Sequence, residues 1–297
     1  MNGFLCFLKP PGMTSSQAVV AVRKLLGKEK VGHAGTLDPQ ACGILPLMVG
    51  RGARLFDYLT EKEKTYIAEL AFGCETDTQD ATGKVTLRGD AYPNRAAIEQ
   101  ALVELTGDIM QTPPMFSAIS RNGERMYDLA RKGETVDIPA RPITVYELRL
   151  LGDELPNHGY RLLVRCGRGT YVRTICRDIG EKCGCPAHMR FLLRAKSGIF
   201  SLENAHTLEE LQQAANEGRL QELLLPLDAP LGHIPAVEVP ARLRFPALHG
   251  AKLDAAKFPA HIPENVPLRL YDRGTFLGIV QKADGIVSYR AMLYEGD

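Results

Sequence analysis

Between Val31 and Pro46 the chain places three glycines and two prolines around one histidine and one carboxylate. Glycine opens backbone conformations closed to other residues, and proline blocks continuation of a helix or a central strand. The stretch therefore reads as a loop, ending near Gly52. Asp38 is its only acid, held between Leu37 and a rigid Pro39. Two readings fit that position. Asp-Pro is an ordinary turn opener, because Asp can hydrogen-bond the backbone two residues on. It is also a way to present one carboxylate from a stiff turn.

Around this loop the pattern is that of an α+β protein. Residues 3–8 read as a buried strand closed by the Lys9–Gly12 turn, and Ser15 or Ser16 can cap a helix that Gly27 stops. Lys64 to Phe72 alternates as a strand, with Tyr66 and Ala68 on one side. Asn94 to Gly107 carries a capping Asn, apolar Ile98, Leu102 and Leu105, and a terminal Gly, the marks of a helix. Residues 143–151 and 160–166 alternate like two strands. Thr170 is the expected cap of a helix with Val172, Ile175, Cys176 and Ile179 as its buried stripe; Tyr171 and Arg173 lie off that stripe and must face something else. Thr207 to Glu210 is a capping box, and 268–280 reads as a hairpin across Asp272-Arg273-Gly274. Residues 121–141, charged throughout with a short helix around Tyr127–Arg131, fit a protruding excursion. The chain becomes proline-rich after Pro226, and a domain boundary is placed near 240.

Composition narrows the function classes. With 297 residues, 45% hydrophobic and 24% charged, the chain can build a sizeable core. No apolar run approaches the roughly 18 residues of a membrane span, and the short opening to Phe7 lacks the features of a signal peptide, so a cytoplasmic protein is expected. Seven scattered cysteines fit reduced thiols better than a disulfide framework. No HExxH is present, and Cys183-Gly184-Cys185 has the wrong spacing for a zinc knuckle, so no metal is expected. Net charge is only +1, yet nine Lys/Arg fall between Arg161 and Lys196 against Asp178 and Glu181. A local basic surface of that kind suits a polyanion, and a solvated charged face explains it as well.

Three separated stretches, Gly32-His33-Ala34-Gly35-Thr36-Leu37-Asp38-Pro39, Lys64-Thr65-Tyr66 and Gly169-Thr170-Tyr171-Val172-Arg173, resemble the TruB-type tRNA pseudouridine synthases. Lys9-Pro10-Pro11-Gly12-Met13-Thr14-Ser15 and Pro113-Pro114-Met115-Phe116-Ser117-Ala118 are similar to two more of that family's motifs, in the same order. The resemblance implies an α+β catalytic domain over 1–240, built on a bent, mixed, mainly antiparallel sheet with flanking helices. It makes 121–141 a mobile RNA-binding insertion and 241–297 a small PUA-like RNA-binding β domain. It implies isomerisation of uridine to pseudouridine at position 55 in the T-loop of tRNA, with no cofactor, no membrane, no obligatory protein partner and a monomeric chain.

Site residues follow from the same resemblance. Asp38, Tyr66 and Arg173 are carried over as catalytic: the carboxylate acts, Arg173 pairs with it, and Tyr66 stacks on the flipped base and can help remove its C5 proton. His33 fills the space that the base vacates. Tyr171 contacts the nucleotide or orients the Asp38–Arg173 pair, Leu192 is an apolar pocket wall or equally a core leucine, Lys9 supports the loop or touches phosphate, and Asp77 contacts RNA or caps a turn. One departure stands out: a lysine that the family carries after Ser-Ala-x is here Ser120 followed by Arg121. Two other classes are compatible with the motifs. A guide-RNA-dependent relative shares the Gly-Thr-Leu-Asp-Pro core but carries long basic tails absent here, and an RNA chaperone could remodel tRNA on the same surface without reacting. The role of Asp38 is left open among addition to the base, attack at the sugar C1′ and abstraction of the C2′ proton.

Overall fold

The computed structural model describes residues 1–27, 29–59, 63–117, 120–121, 124–126, 138–259 and 261–296, without side chains at 120–125. Its strands are β1 (Gly3–Lys9), β2 (Val31–His33), β3 (Cys42–Val49), β4 (Lys64–Phe72), β5 (Cys74–Thr76), β6 (Val85–Arg88), β7 (Gly107–Gln111), β8 (Ser120–Arg121), β9 (Glu124–Arg125), β10 (Arg141–Leu155), β11 (Gly159–Cys166), β12 (Ala187–Ser197), β13 (Phe200–Ser201), β14 (Ala236–Glu238), β15 (Leu253–Asp254), β16 (Pro267–Asp272), β17 (Thr275–Ala283) and β18 (Ile286–Met292). The α-helices among the described residues are α1 (Ser15–Leu25), α2 (Arg95–Glu104), α3 (Val172–Lys182), α4 (Leu208–Asn216) and α5 (Arg244–Leu248).

The large sheet runs β1-β3-β12-β4-β11-β10-β7, with β2 joined to β3 and β13 to β12. Within this sheet, among the described residues, only β3 and β12 pair in parallel, so the expected mixed, mainly antiparallel sheet is the one observed. Strand β1 shows why its sequence is apolar without alternation. Leu5 and Phe7 face one core with Ala18 and Val22 of α1, Ile98 of α2, Ile175 of α3 and Leu211 of α4. Phe4 and Cys6 face the other core with Ile44, Met48, Ile279, Ala291 and Leu293. A strand buried on both faces reads as a continuous hydrophobic run, and each such Leu or Phe contributes about 1.5–3 kcal/mol by burial.

Much less of 31–52 is loop than glycine and proline content suggested. Only 34–41 is irregular; β2 and β3 flank it, and a 3-10 helix, Gly50–Tyr58, follows. Pro46 sits inside β3, opposite Cys6. Its carbonyl accepts from the Ala34 amide at 2.9 Å, so its nitrogen faces that same side, where the β2 ladder has ended and no donor is required. Strand β12, absent from the sequence reading, lies between β3 and β4. Its Arg190, Arg194 and Lys196 hide the alternation that buries Leu192.

Two helix starts differ from expectation. Thr14, not Ser15 or Ser16, caps α1 in a capping box with Gln17; the Ser15 hydroxyl is committed elsewhere, as described below. Helix α3 begins after Tyr171 with no side-chain cap, so Thr170 does not cap it. Asn94 and Thr207 cap as read. The helix expected around Tyr127–Arg131 and the side chain of Arg121 lie outside the described residues.

A second sheet, β14-β16-β17-β18-β15, follows. Its β16–β17 turn places Arg273 and Gly274 at φ of 51° and 79°, the geometry of a two-residue type I′ hairpin. This sheet takes its first strand from Ala236–Glu238, four residues short of the position where composition placed a boundary. Arg51 ties it to the large sheet, donating to the Leu293 and Tyr294 carbonyls at 3.1 and 2.7 Å.

Candidate active site

The segment 34–41 is irregular but firmly held. Ser15 Oγ donates to the Leu37 carbonyl at 3.1 Å and accepts from the Leu37 amide at 2.9 Å. The Pro39 carbonyl accepts from the Gly12 amide at 2.9 Å and from Lys9 Nζ at 3.1 Å. Both neighbours of Asp38 are thereby clamped by the first turn of the chain, which explains the Lys-Pro-Pro-Gly-x-Thr-Ser stretch physically. The Ala41 amide donates to the Asp38 carbonyl at 3.1 Å. The turn is made by the Asp38 backbone and not by its side chain, so the turn-opener reading fails in its detail and the carboxylate faces elsewhere.

That side chain meets Arg173. Arg173 Nε donates to Asp38 Oδ2 at 2.9 Å, and Nη2 lies 3.4 Å from Oδ1. The guanidinium is 5% exposed and the carboxylate 37%, so solvent reaches the pair only from the acid's side. Arg173 is otherwise saturated by the Thr78 and Phe116 carbonyls at 2.9 and 3.0 Å, and Asp80 lies 3.9 Å away. Asp80 is itself held by Thr78 and Thr82, while Thr174 donates to Gln79 at 2.8 Å and locks this turn onto α3. Burial pushes the Asp38 carboxyl above the ordinary carboxylate range; Arg173 pulls it back, and Asp80 adds to the rise.

A cleft of about 940 Å³ opens over the pair, lined by His33, Tyr66, Tyr171 and Leu192 among others. Tyr66 of β4 is buried, and burial raises its hydroxyl to about 12. Leu192 projects from β12, the adjacent strand. His33 ends β2, and burial, with the nearby Arg194 charge, lowers its pKa. Tyr171 is fixed by its backbone, whose amide donates to Gln111 Oε1 at 2.8 Å and whose carbonyl accepts from Gln111 Nε2 at 3.1 Å. Among the described residues Asp38 is the sole carboxylate lining this cleft, against Lys64, Arg141, Arg168, Arg173 and Arg194.

Comparison with known proteins identifies the family. Residues 23–172 match the family described as TruB family pseudouridylate synthase (N terminal domain), and 173–232 match the tRNA pseudouridylate synthase B C-terminal domain. The tRNA pseudouridine synthase B of Geobacillus thermodenitrificans is 43% identical over 270 residues, spanning 89% of this chain and 88% of that protein. This chain belongs to the TruB family. The Burkholderia lata tRNA pseudouridine synthase B is 40% identical over 289 residues, 97% of this chain and 89% of the relative. Among solved structures, one in a Cbf5-Nop10-Gar1 complex superposes with a TM-score of 0.71 at 26% identity, covering 99% of this chain and 84% of that one. The second matched segment of the TruB chain contains β12, so it belongs to the large sheet rather than to the sheet that begins at Ala236.

For two residues carried over from the family, Lys9 and Asp77, the structure separates the alternatives: Lys9 supports the loop and Asp77 caps a turn. Lys9 is fully buried and cannot touch phosphate; its ammonium donates to the Pro10, Met13 and Pro39 carbonyls at 2.8, 2.6 and 3.1 Å, and burial lowers it to about 8. Asp77 is spent on a turn, its Oδ1 accepting from the Lys84 amide at 2.8 Å. The acid of that loop near the site is Asp80, three residues on, and only the fold tells the two apart. The basic run is also mostly neutralised. Arg161 and Arg190 pair with Glu69, Arg165 with Glu63 and Glu147, Arg173 with Asp38, Arg177 with Asp178 and Lys182 with Glu104. Acids remote in sequence come alongside, so counting charges along the chain overstated the surface.

Lys9 yields a stability prediction. In Lys9→Met the Pro10 and Met13 carbonyls lose the ammonium donor and the Pro39 carbonyl keeps only the Gly12 amide; each such loss at a partly buried group costs roughly 1 kcal/mol. The urea midpoint is expected to fall accordingly, and activity with it, because one of the two Pro39 anchors is lost. An unchanged midpoint would show that the clamp contributes nothing.

Proposed function

We propose that this chain isomerises uridine to pseudouridine at position 55 in the T-loop of tRNA, with Asp38 as the reacting carboxylate. The single observation that supports it most is the Asp38–Arg173 pair in a cleft lined by one acid and, beside the enclosed Arg173 and Arg194, by the more accessible cations Lys64, Arg141 and Arg168. Such a lining suits a polyanion carrying a group for one carboxylate to attack. A uridine in a folded loop must be flipped out, at a cost of roughly a few kcal/mol. Aromatic contact returns about 1–3 kcal/mol, and Tyr66 is placed to supply it. Leu192 forms the apolar wall beside the base, Tyr171 orients the ion pair, and His33 fills the space that the base leaves.

The C1′–N1 bond breaks, the base turns, and a C1′–C5 bond forms while the C5 proton leaves and N1 gains one. Atoms and electrons balance without a co-substrate. Every route open to Asp38, at the base, at C1′ or at C2′, needs the ionised carboxylate. Arg173 opposes the rise that burial imposes, which keeps that form accessible. The sheet from Ala236 onward acts as a PUA-like domain on the same tRNA. All the proposed groups lie on one chain, so a cytoplasmic monomer without a guide particle is the expected working form. Opening a T-loop is itself folding work, and a chaperone activity follows from the same surface.

The test is tritium release from an unmodified transcript labelled at uridine C5. Wild-type protein is expected to release close to one equivalent per tRNA, and a transcript with cytidine at position 55 none. No release from protein that binds the transcript would leave a remodelling protein or a guide-dependent enzyme.

A further inference from the structure

Arg194 has no place in the roles given so far. It is 1% exposed, and no described carboxylate pairs with it. Its guanidinium donates to three carbonyls instead: Ile44 at 2.6 Å from Nε, Thr36 at 3.2 Å from Nη1 and Gly35 at 3.3 Å from Nη2. Two of those carbonyls belong to the segment that presents Asp38, where Gly35 sits at a φ of 141° that favours glycine. Across the ladder its partner is Tyr66, and directly paired residues bring their side chains together on one face. The positive charge of Arg194 favours the ionised form of the Tyr66 hydroxyl, against the larger effect of burial.

A buried cation is tolerated when hydrogen-bonded, but carbonyls do not cancel its charge. That charge acts on His33, Lys64 and Tyr66 of the cleft lining and on Lys9 beneath it. A phosphate cannot reach a side chain so enclosed. What can lie against Tyr66 is the base itself, and a base detached at C1′–N1 leaves with the bonding electron pair, as an anion.

We propose that Arg194 is a positioning residue: by bearing on the phenolic oxygen it turns the Tyr66 proton into the cleft, so that Tyr66 donates a hydrogen bond to the detached uracil anion while the same guanidinium holds the Asp38 loop in register. Tyr66 is then a donor to the leaving group. This rests on the reading of the cleft as a pseudouridine-forming site, which the wild-type tritium assay checks by itself. Preorganised donors aimed at developing charge are worth about 10²–10³-fold in rate each.

The experiment compares wild type, Arg194→Lys and Arg194→Met in single-turnover assays, on transcripts carrying uridine or 5-fluorouridine at the target. Fluorine at C5 stabilises the detached anion, so that substrate needs less help from the protein. Conversion is followed as loss of the parent nucleoside after digestion, with transcript Kd and thermal melting measured alongside. Arg194→Met is expected to lose about 10²-fold or more in rate on uridine, to change Kd little, and to lose distinctly less on 5-fluorouridine. Arg194→Lys, which keeps the charge, is expected to recover part of the rate. Equal losses on both substrates would overturn the proposal and leave a scaffold role; so would a defect confined to Kd. If Arg194→Met does not fold, the same substrate comparison in Arg194→Lys decides, with equal losses again against it.

Discussion

Asp38→Asn is expected to abolish pseudouridine formation, by about 10⁴-fold or more, the order lost when a reacting side chain is removed. Asparagine keeps the shape of the side chain and an oxygen that Arg173 can still donate to. The clamps on Leu37 and Pro39 act through backbone atoms and are untouched. The variant should therefore fold. It should also bind tRNA at least as well as wild type, because it removes the one negative charge among five cations in the cleft lining. The measurement is C5 tritium release beside filter binding of the same transcript across a salt series. Turnover near wild type would remove Asp38 from the chemistry. Lost turnover with lost binding would make it a fold residue instead.

How much of this was legible depends on what kind of information each residue carries. The strand at 64–72, the helix at 95–104 and the hairpin at 267–283 were readable, because alternation, an Asn cap and an Asp-Arg-Gly turn are local signals. Strands β2, β3 and β12 were not. Around β3, Gly43 near its start, Gly50 just past its end and Pro46 between them point to a loop, and only the end of the β2 ladder makes the proline harmless. In β12, arginines stand where apolar residues would mark the inward face. Arg194 looks like surface charge until the fold closes β3 and β4 around it.

The site divides along the same line. Asp38 stood out by being alone in its segment, and Arg173 by lying off an apolar stripe. Ser15, Gln111 and Arg194 carry no such signal, since each acts on a backbone group brought near by topology. Ser15 and Leu37 are 22 residues apart, Gln111 and Tyr171 60, Arg194 and Gly35 159. Asp77 and Asp80 are chemically alike and three apart; only the packing of their turn on α3 assigns one to Lys84 and the other to Arg173.

Arg173→Ala is expected to reduce the single-turnover rate by about 10²–10³-fold, the scale of one lost electrostatic partner in a site closed to water. Its pH profile should carry the cause. Burial favours the neutral carboxyl and raises the Asp38 pKa, so the acid limb of the wild-type profile should lie above the ordinary aspartate value of 3.8. Arg173 favours the ionised form. Removing it leaves burial and Asp80 opposed only by the smaller effect of the Lys9 charge, and the limb must move to still higher pH, leaving a smaller reactive fraction at neutrality. Arg173→Lys restores the charge without the two-pronged geometry, so its limb should return most of the way while its rate recovers only in part. Affinity for tRNA and its salt dependence should hardly change, because the guanidinium is enclosed by Asp38, Thr78 and Phe116. A phosphate contact would behave in the opposite manner, lowering the slope of log affinity against log salt by about one while leaving the acid limb in place. That pattern, in protein whose far-ultraviolet spectrum is unchanged, would dissolve the pairing on which the mechanism rests.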